Sequence, residues 1–296
     1  MKNKTIGFGN TEVDQYTLEA AKILNDKLPI KKIICAHVEP KFDVWDSLYL
    51  KELKKLASER QEQNEIKKEI EKAMSFCLNG KISKQTEIIM KHGKVAHELL
   101  DVLEENKADL LILGQQEVRA GHGILIRNLI RLAAANVMVV PKVTVKELKT
   151  ILVAIDFSKC TENLMKTASE IATAMKGDVN IKLMHVFSEP FYANDRNPIG
   201  LNNYMRETSS KVGIAFKELT NKSEFPKNCQ PEFIELTSEP DKFQEAIIQT
   251  AKNEHADLLI VGNQGHSPCK QFYLGSVAEK MTMIDLPCPT LFVKCI

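Results

Sequence analysis

The sequence predicts an α/β fold built twice, as two tandem domains that each hold a parallel β-sheet covered by helices on both faces. Three observations lead there. The first is internal repetition. Residues 108–116 read Ala-Asp-Leu-Leu-Ile-Leu-Gly-Gln-Gln, and residues 256–264 read Ala-Asp-Leu-Leu-Ile-Val-Gly-Asn-Gln, at an offset of 148. His37-Val38 and His185-Val186 share that offset, which is also half of the 296-residue chain. One offset linking separated segments signals a duplication. The second is an alternation of short apolar runs with segments of helical period. The third is composition: 44% apolar and 27% charged residues leave enough apolar sequence for one or two cores. The seam falls in the polar stretch from Pro141 to Lys149, giving domains 1–144 and 145–296.

In the first half, apolar runs near 4–8, 31–38, 85–91, 109–113 and 136–140 predict strands, with helices between them. Residues 45–78 form a long charged segment. Leu48, Leu53, Leu56, Ile66, Ile70 and Met74 give it an apolar stripe that either faces a core or docks a partner. In the second half, Thr150–Ile155 is a buried strand. Ser158–Met175 is a helix, with Leu164, Ala168, Ile171, Ala172 and Met175 on one face and Gly177 as its stop. Strands follow at Asn180–Phe187, Pro231–Leu236, Asp257–Val261 and Pro289–Val293. Helices fall at Tyr204–Leu219, at Lys242–Glu254 (with Phe243, Ala246, Ile247 and Ala251 on one face) and at Ser276–Met283.

Open parallel sheets bind ligands beyond the carboxyl ends of their strands, where the strand order reverses. The loops after strands one and four are therefore where chemistry is expected. After strand four of the second half the chain reads Gly262-Asn263-Gln264-Gly265, then nine residues, then Gly275-Ser276-Val277-Ala278-Glu279. The glycines permit close backbone approach to a ligand. Ser276 with Glu279 three residues on reads as a capping box. Free N–H groups at such a helix start can hold an anion. The same residues also read as an ordinary glycine turn and a capped helix, and spacing alone leaves both readings open. No G-x-x-x-x-G-K-[ST] occurs, so a P-loop is excluded. Gly7-Phe8-Gly9 and Gly121-His122-Gly123 begin like G-x-G-x-x-G but end on Glu12 and Ile126, so a dinucleotide-binding dehydrogenase is not supported.

Gly-x2-Gly-x9-Gly-Ser after an Ala-Asp-Leu-Leu-Ile-Val strand resembles the nucleotide loop of the universal stress protein family. Ile151-Leu152-Val153-Ala154-Ile155-Asp156-Phe157-Ser158 resembles that family's first strand and its acidic residue, and His185-Val186 the end of its second strand. Pro287 to Val293 resembles its last strand. The resemblance covers 150–296 and, more weakly, 1–142. It implies two Rossmann-like domains of the adenine nucleotide alpha hydrolase-like type, each with a five-stranded parallel sheet. It further implies an ATP-binding stress-response regulator, with Mg²⁺ alongside the nucleotide. The implied ATP residues are Ala154, Asp156, Val186, Val261, Gly262, Gly265, Gly275, Ser276 and Val277. In the ATP-binding branch of that family the residue matching Asp156 contacts the adenosine part, and the residue matching Val186 lines the adenine pocket. In the same branch the loop matching Gly262 to Val277 wraps ribose and phosphates, and the resemblance implies that role here. The family also implies that domains pair through their last strands, here within one chain, with a homodimer as a further possibility. One departure is Thr237-Ser238-Glu239-Pro240, where the family often has a glycine after strand three. Glu239 is either a solvated surface charge or a side chain that crowds the nucleotide.

The first half lacks this loop. At the same offset Gly265 is matched by Glu117, Gly275 by Arg127 and Ser276 by Asn128, and only Gly114 keeps its counterpart. Phe8-Gly9-Asn10 stands where Asp156 should be. The first half is therefore expected not to bind ATP in the family's manner. Arg119, His122, Arg127 and Arg131 either collect another anion or form a basic surface.

Forty basic against thirty-nine acidic residues give a net charge of +1, so a nucleic-acid partner is not expected. No apolar run approaches the roughly 18 residues of a membrane span, so a membrane partner is not expected either. The first residues lack the apolar core of a signal peptide. Seven scattered cysteines without a C-x-x-C pair read as reduced thiols in a cytoplasmic protein. No Cys/His cluster suggests zinc, and no catalytic residue or metal ligand is assigned. Two alternatives stand beside the regulator. One is a slow ATPase, with His266 and Lys270 in the loop. The other is a nucleotide-independent interaction or chaperone-like protein with an unknown protein partner.

Overall fold

The structure is a computed structural model that describes residues 5–9, 15–40, 64–72, 74–75, 86–115, 122–188, 198–265 and 273–295. The chain divides into two compact units, Met1–Lys146 and Glu147–Ile296.

The first unit runs β1 (Thr5–Gly9), α1 (Gln15–Lys27), β2 (Lys32–Pro40), a helix α2 described at 64–72 and 74–75, and β3 (Thr86–Gly93). It continues with α3 (Val95–Glu105), β4 (Leu110–Gly114), α4 (His122–Leu132) and β5 (Asn136–Val140). The strands are all parallel in the order β3-β2-β1-β4-β5. Helix α2 places Ile70 and Met74 of the apolar stripe in the core, both almost fully buried, with Ile66 half-buried. Leu48, Leu53 and Leu56 lie outside the described residues.

The second unit repeats the plan: β6 (Thr150–Ala154), α5 (Cys160–Ala174), β7 (Asn180–Phe187), α6 (Pro198–Lys222), β8 (Glu232–Thr237), a short 3₁₀ turn (Pro240–Lys242), α7 (Phe243–Asn253), β9 (Leu258–Gly262), α8 (Ser276–Met281) and β10 (Thr290–Val293). Its strand order is β8-β7-β6-β9-β10, again all parallel. The central strands are apolar on both faces because helices cover both faces. Ile151, Leu152 and Val153 of β6 pair with Leu258, Leu259 and Ile260 of β9, and all six are fully buried. Each such side chain contributes roughly 1.5–3 kcal/mol by leaving water. All five expected apolar positions of α5 and its end, from Leu164 to Met175, are buried. In this order the chain starts in the middle, walks to one edge and crosses back. The reversal point is between β6 and β9, so the loops that follow those two strands meet there.

Three expectations need correction. Helix α6 begins at Pro198, six residues before the periodic segment that starts at Tyr204. Proline suits the first helical position, where its missing N–H costs nothing. Helix α8 has Gly275 as its N-cap and Ser276 already inside the helix, with no side-chain capping bond. Gly275 holds the extended conformation an N-cap needs, and its carbonyl accepts from the Glu279 N–H at 2.8 Å. Finally, Cys160 and Cys295 are joined as a disulfide. Cys35, Cys229 and Cys288 are buried free thiols, as read, while Cys77 and Cys269 lie outside the described residues. Among the described residues no helix is long and apolar enough to cross a membrane.

Candidate functional site

The site forms at the reversal point of the second unit. Strand β6 ends at Ala154, and the Ile155 N–H donates to the Met184 carbonyl, extending the pairing with β7 by one residue. The chain then turns sharply. Phe157 takes a left-handed backbone (φ 59), uncommon for a bulky residue. The turn is held by the half-buried Asp156, whose Oδ1 accepts from the Ser158 N–H at 3.0 Å and the Thr161 hydroxyl at 3.3 Å. This local bonding presents the carboxylate just past the strand end, a common way for Asp to fix a turn. His185, near the end of β7, pairs its Nδ1 with the Ile155 carbonyl at 2.9 Å. Its ring meets Phe157 edge to face, with centroids 4.9 Å apart. The histidine thus ties the end of β7 to the Asp156 turn, while also facing the site.

Across from Asp156, β9 ends at Gly262 and the chain turns back on itself. Asn263 is almost fully buried and donates its N–H to Val293 at 3.0 Å. The Gly275 N–H reaches the Asn263 carbonyl at 2.8 Å, and Gln264 Nε2 reaches the Tyr273 carbonyl at 2.8 Å. These two bonds bring both ends of the long loop together at its base. Two glycines are required by close approach. A Cβ on Gly265 would lie 2.6 Å from Asp156 Oδ2, and one on Gly262 would lie 2.8 Å from Cys160 Sγ.

The result is one cavity of about 370 Å³, within the range of small-molecule sites. It is lined by Ala154 and Asp156 from β6 and its turn, Val186 from β7, and Val261 and Gly262 from β9. Gly265 and the start of α8 (Gly275, Ser276 and Val277) complete it. All nine residues singled out from the sequence therefore meet around a single space. Sequence reasoning missed others that line it: Ile155, Leu164, Met184, His185, Phe243, Ile247, Gln264 and Ala278. Phe243 and Ile247 were legible only as one face of α7. Nothing in their spacing separates a cavity wall from a core contact. A wider cleft of about 730 Å³ between α5 and α6 contains none of the nine.

Glu239 lies outside the cavity lining, exposed and paired with Lys242 at 2.8 Å, so it is the solvated charge of the two readings. His266 and Lys270 lie outside the described residues.

The corresponding region of the first unit starts the same way. Gln115 is buried and donates its N–H to Val140 at 2.7 Å, as Asn263 does to Val293. The resemblance ends there, because α4 has already begun at His122. Arg127 and Asn128 therefore sit inside a helix, where their counterparts Gly275 and Ser276 precede and open one. Arg131 reaches Asn128 Oδ1 at 3.4 Å on that helix. Glu117, Arg119 and Asn10 lie outside the described residues, as does the side chain of His122.

A model of the universal stress protein family matches residues 5–141 and again residues 147–294. The chain belongs to that family. It carries the family's domain twice, in tandem, as the duplication implied. Among relatives, it is 28% identical over 149 residues to the universal stress protein YxiE of Bacillus subtilis, an alignment that covers 48% of this chain and 97% of the relative. Among solved structures, it is similar to a universal stress protein from Archaeoglobus fulgidus, with a TM-score of 0.65 at 15% identity, covering 98% of this chain and 96% of that one. A putative universal stress protein from Pseudomonas aeruginosa gives a TM-score of 0.63 at 14% identity, covering 99% and 94%. At such identities these likenesses speak for the fold alone: a universal stress protein of two tandem Rossmann-like domains.

Proposed function

We propose that this universal stress protein is a regulatory nucleotide-binding protein that takes ATP in its second unit. The observation that carries the reading is the single cavity uniting Asp156 with Gly262, Gly265 and Gly275 at the reversal point of the sheet. The cavity's residues suit an adenine nucleotide. Val186, Val261 and Met184 offer an apolar wall for a base, and Asp156 offers a carboxylate for hydroxyl donors. The backbone at Gly262, Gly265 and Gly275 permits the close approach that ribose and phosphates need. Mg²⁺ enters with the phosphates, since this ion keeps much of its water and seldom takes an all-protein cage. The first unit, whose helix α4 fills the place of the loop, is proposed not to take nucleotide in this manner. The protein acts by presenting a nucleotide-dependent surface to a protein partner, without an assigned catalytic residue.

Equilibrium titration of the full chain with a fluorescent ATP analogue tests the reading. Binding in the micromolar range is expected, competed by unlabelled ATP and lost in the variant carrying Gly265→Glu and Gly275→Arg. Binding that ignores both substitutions, or none below millimolar, would overturn it.

A further inference from the structure

The disulfide lies directly behind the two turns that make the cavity, without lining it. Cys160 opens α5, four residues after Asp156. Its N–H donates to Ser158 Oγ at 3.3 Å, and the Ser158 N–H in turn holds Asp156. Cys295, just past β10, donates its N–H to Asn263 Oδ1 at 2.9 Å, and its sulfur is 3.6 Å from the Gln264 carbonyl. The two Cα atoms are 4.9 Å apart, within the ordinary reach of a disulfide. A Cβ on Gly262 would stand 2.8 Å from one sulfur and 3.5 Å from the other. Thus the Cys160 backbone is tied to the Asp156 turn, Cys295 to Asn263 through its backbone and to Gln264 through its sulfur, and Gly262 packs beside both sulfurs. The cysteines are 135 residues apart in sequence.

We propose that Cys160 and Cys295 are a reversible thiol–disulfide pair that sets the nucleotide affinity of the second unit. The inference rests on the nucleotide reading above. In the disulfide state the bond fixes the Asp156 turn against Gly262–Gly265, the geometry in which Gly265 closes on the carboxylate. In the dithiol state two unbonded sulfurs need more room than a bonded pair, so the Gly262–Gln264 turn moves away from the start of α5. A site whose walls are held in place loses less freedom on binding and binds more tightly.

The chemistry closes with a peroxide as oxidant. Cys295 is the more accessible of the pair, half-buried where Cys160 is buried. Its thiolate attacks a peroxide oxygen, the O–O bond breaks, and a sulfenic acid and water result. Cys160 stands at the start of α5 with its Cα 4.9 Å from that of Cys295. It then attacks the Cys295 sulfur, the S–O bond breaks, and the hydroxide leaves as a second water. Two thiols lose two electrons and two protons, and hydrogen peroxide becomes two waters. A dithiol reductant reverses the bond and is itself oxidised to a disulfide.

The test uses the full chain with hydrogen peroxide or dithiothreitol, each removed before titration with the fluorescent ATP analogue. Differential alkylation and peptide mass spectrometry report the state of Cys160 and Cys295. The oxidised chain is expected to bind about tenfold more tightly than the reduced chain. Coupling is reciprocal, so saturating ATP should lower the midpoint potential of the pair by about 30 mV, the equivalent of tenfold for a two-electron couple. Both Cys160→Ser/Cys295→Ser and the single Cys295→Ala should bind like the reduced chain whatever the treatment. Equal affinity in the two states, or tighter binding when reduced, overturns the inference and leaves the nucleotide reading standing. Failure of peroxide to join these two cysteines overturns it as well. Binding by neither state overturns the nucleotide reading and this inference with it.

Discussion

Residues 110–115 and 258–263 are near copies in structure as well as in sequence. Each is a buried strand ending on a glycine, followed by a buried amide residue whose N–H reaches the neighbouring strand. Within a dozen residues the copies have diverged. The first unit spends the segment on helix α4, eleven residues from His122 to Leu132. The second keeps a loop closed at its base and opens only a six-residue helix at Ser276. A duplicated fold can thus preserve its sheet while one copy starts a long helix early and the other starts a short one late. The difference lies in a few side chains that decide where a helix starts.

The comparison can be broken by making the second unit resemble the first. Gly265→Glu with Gly275→Arg installs the residues found at Glu117 and Arg127, and should weaken nucleotide binding by at least about 100-fold, or ~2.7 kcal/mol. Titration calorimetry reads this directly. Gly265→Ala is the gentler form. Its Cβ would meet Asp156 Oδ2 at 2.6 Å, so the carboxylate must move. A loss of about tenfold in affinity, ~1.4 kcal/mol, is expected in the same assay. The reverse exchange, Arg127→Gly with Asn128→Ser, places glycine within α4. It should confer no binding, because the helix has already begun upstream. Glycine in a helix interior costs about 1 kcal/mol, so the transition of this unit should fall by a few degrees in scanning calorimetry.

The smallest effect is one the two units should share. Burial pushes the thiols of Cys35, on β2, and Cys288, just before β10, up to about 12. Both should stay unmodified by iodoacetamide in the native protein at pH 8, as read by mass spectrometry. An unfolded thiol ionises near its ordinary value of about 8.5, so between there and about 12 the unfolded chain releases a proton that the folded chain keeps. Stability should therefore decline as pH rises through that window. Labelling of Cys35 but not Cys288 would show that the cores differ in protection as well as in their loops.

Much of this was legible before any coordinates. Strands such as Ile151–Val153 and Leu258–Ile260 are short apolar runs because helices cover both faces, and that burial leaves its mark on composition. The loop was legible because close backbone approach restricts Gly262 and Gly265 to one residue type. The Cys160–Cys295 pairing was not, since 135 residues of intervening chain leave no local signature of two sulfurs meeting. Nor was the early start of α6, where Gly200, Asn202 and Asn203 carry no apolar period and only Pro198 hints at a helix start. Phe243 and Ile247 show a third kind of gap: the pattern finds an apolar face but not what it faces.

The two hydrogen bonds at the base of the loop, Gly275 to Asn263 and Gln264 to Tyr273, make its span independent of its length. Closing a chain segment costs free energy that grows only with the logarithm of its length, so doubling one adds about 0.6 kcal/mol. A reporter peptide spliced in between Gln264 and Tyr273 should therefore leave the sheet and its strand ends intact. This makes the loop a natural place to build a signal that reads occupancy of the neighbouring cavity.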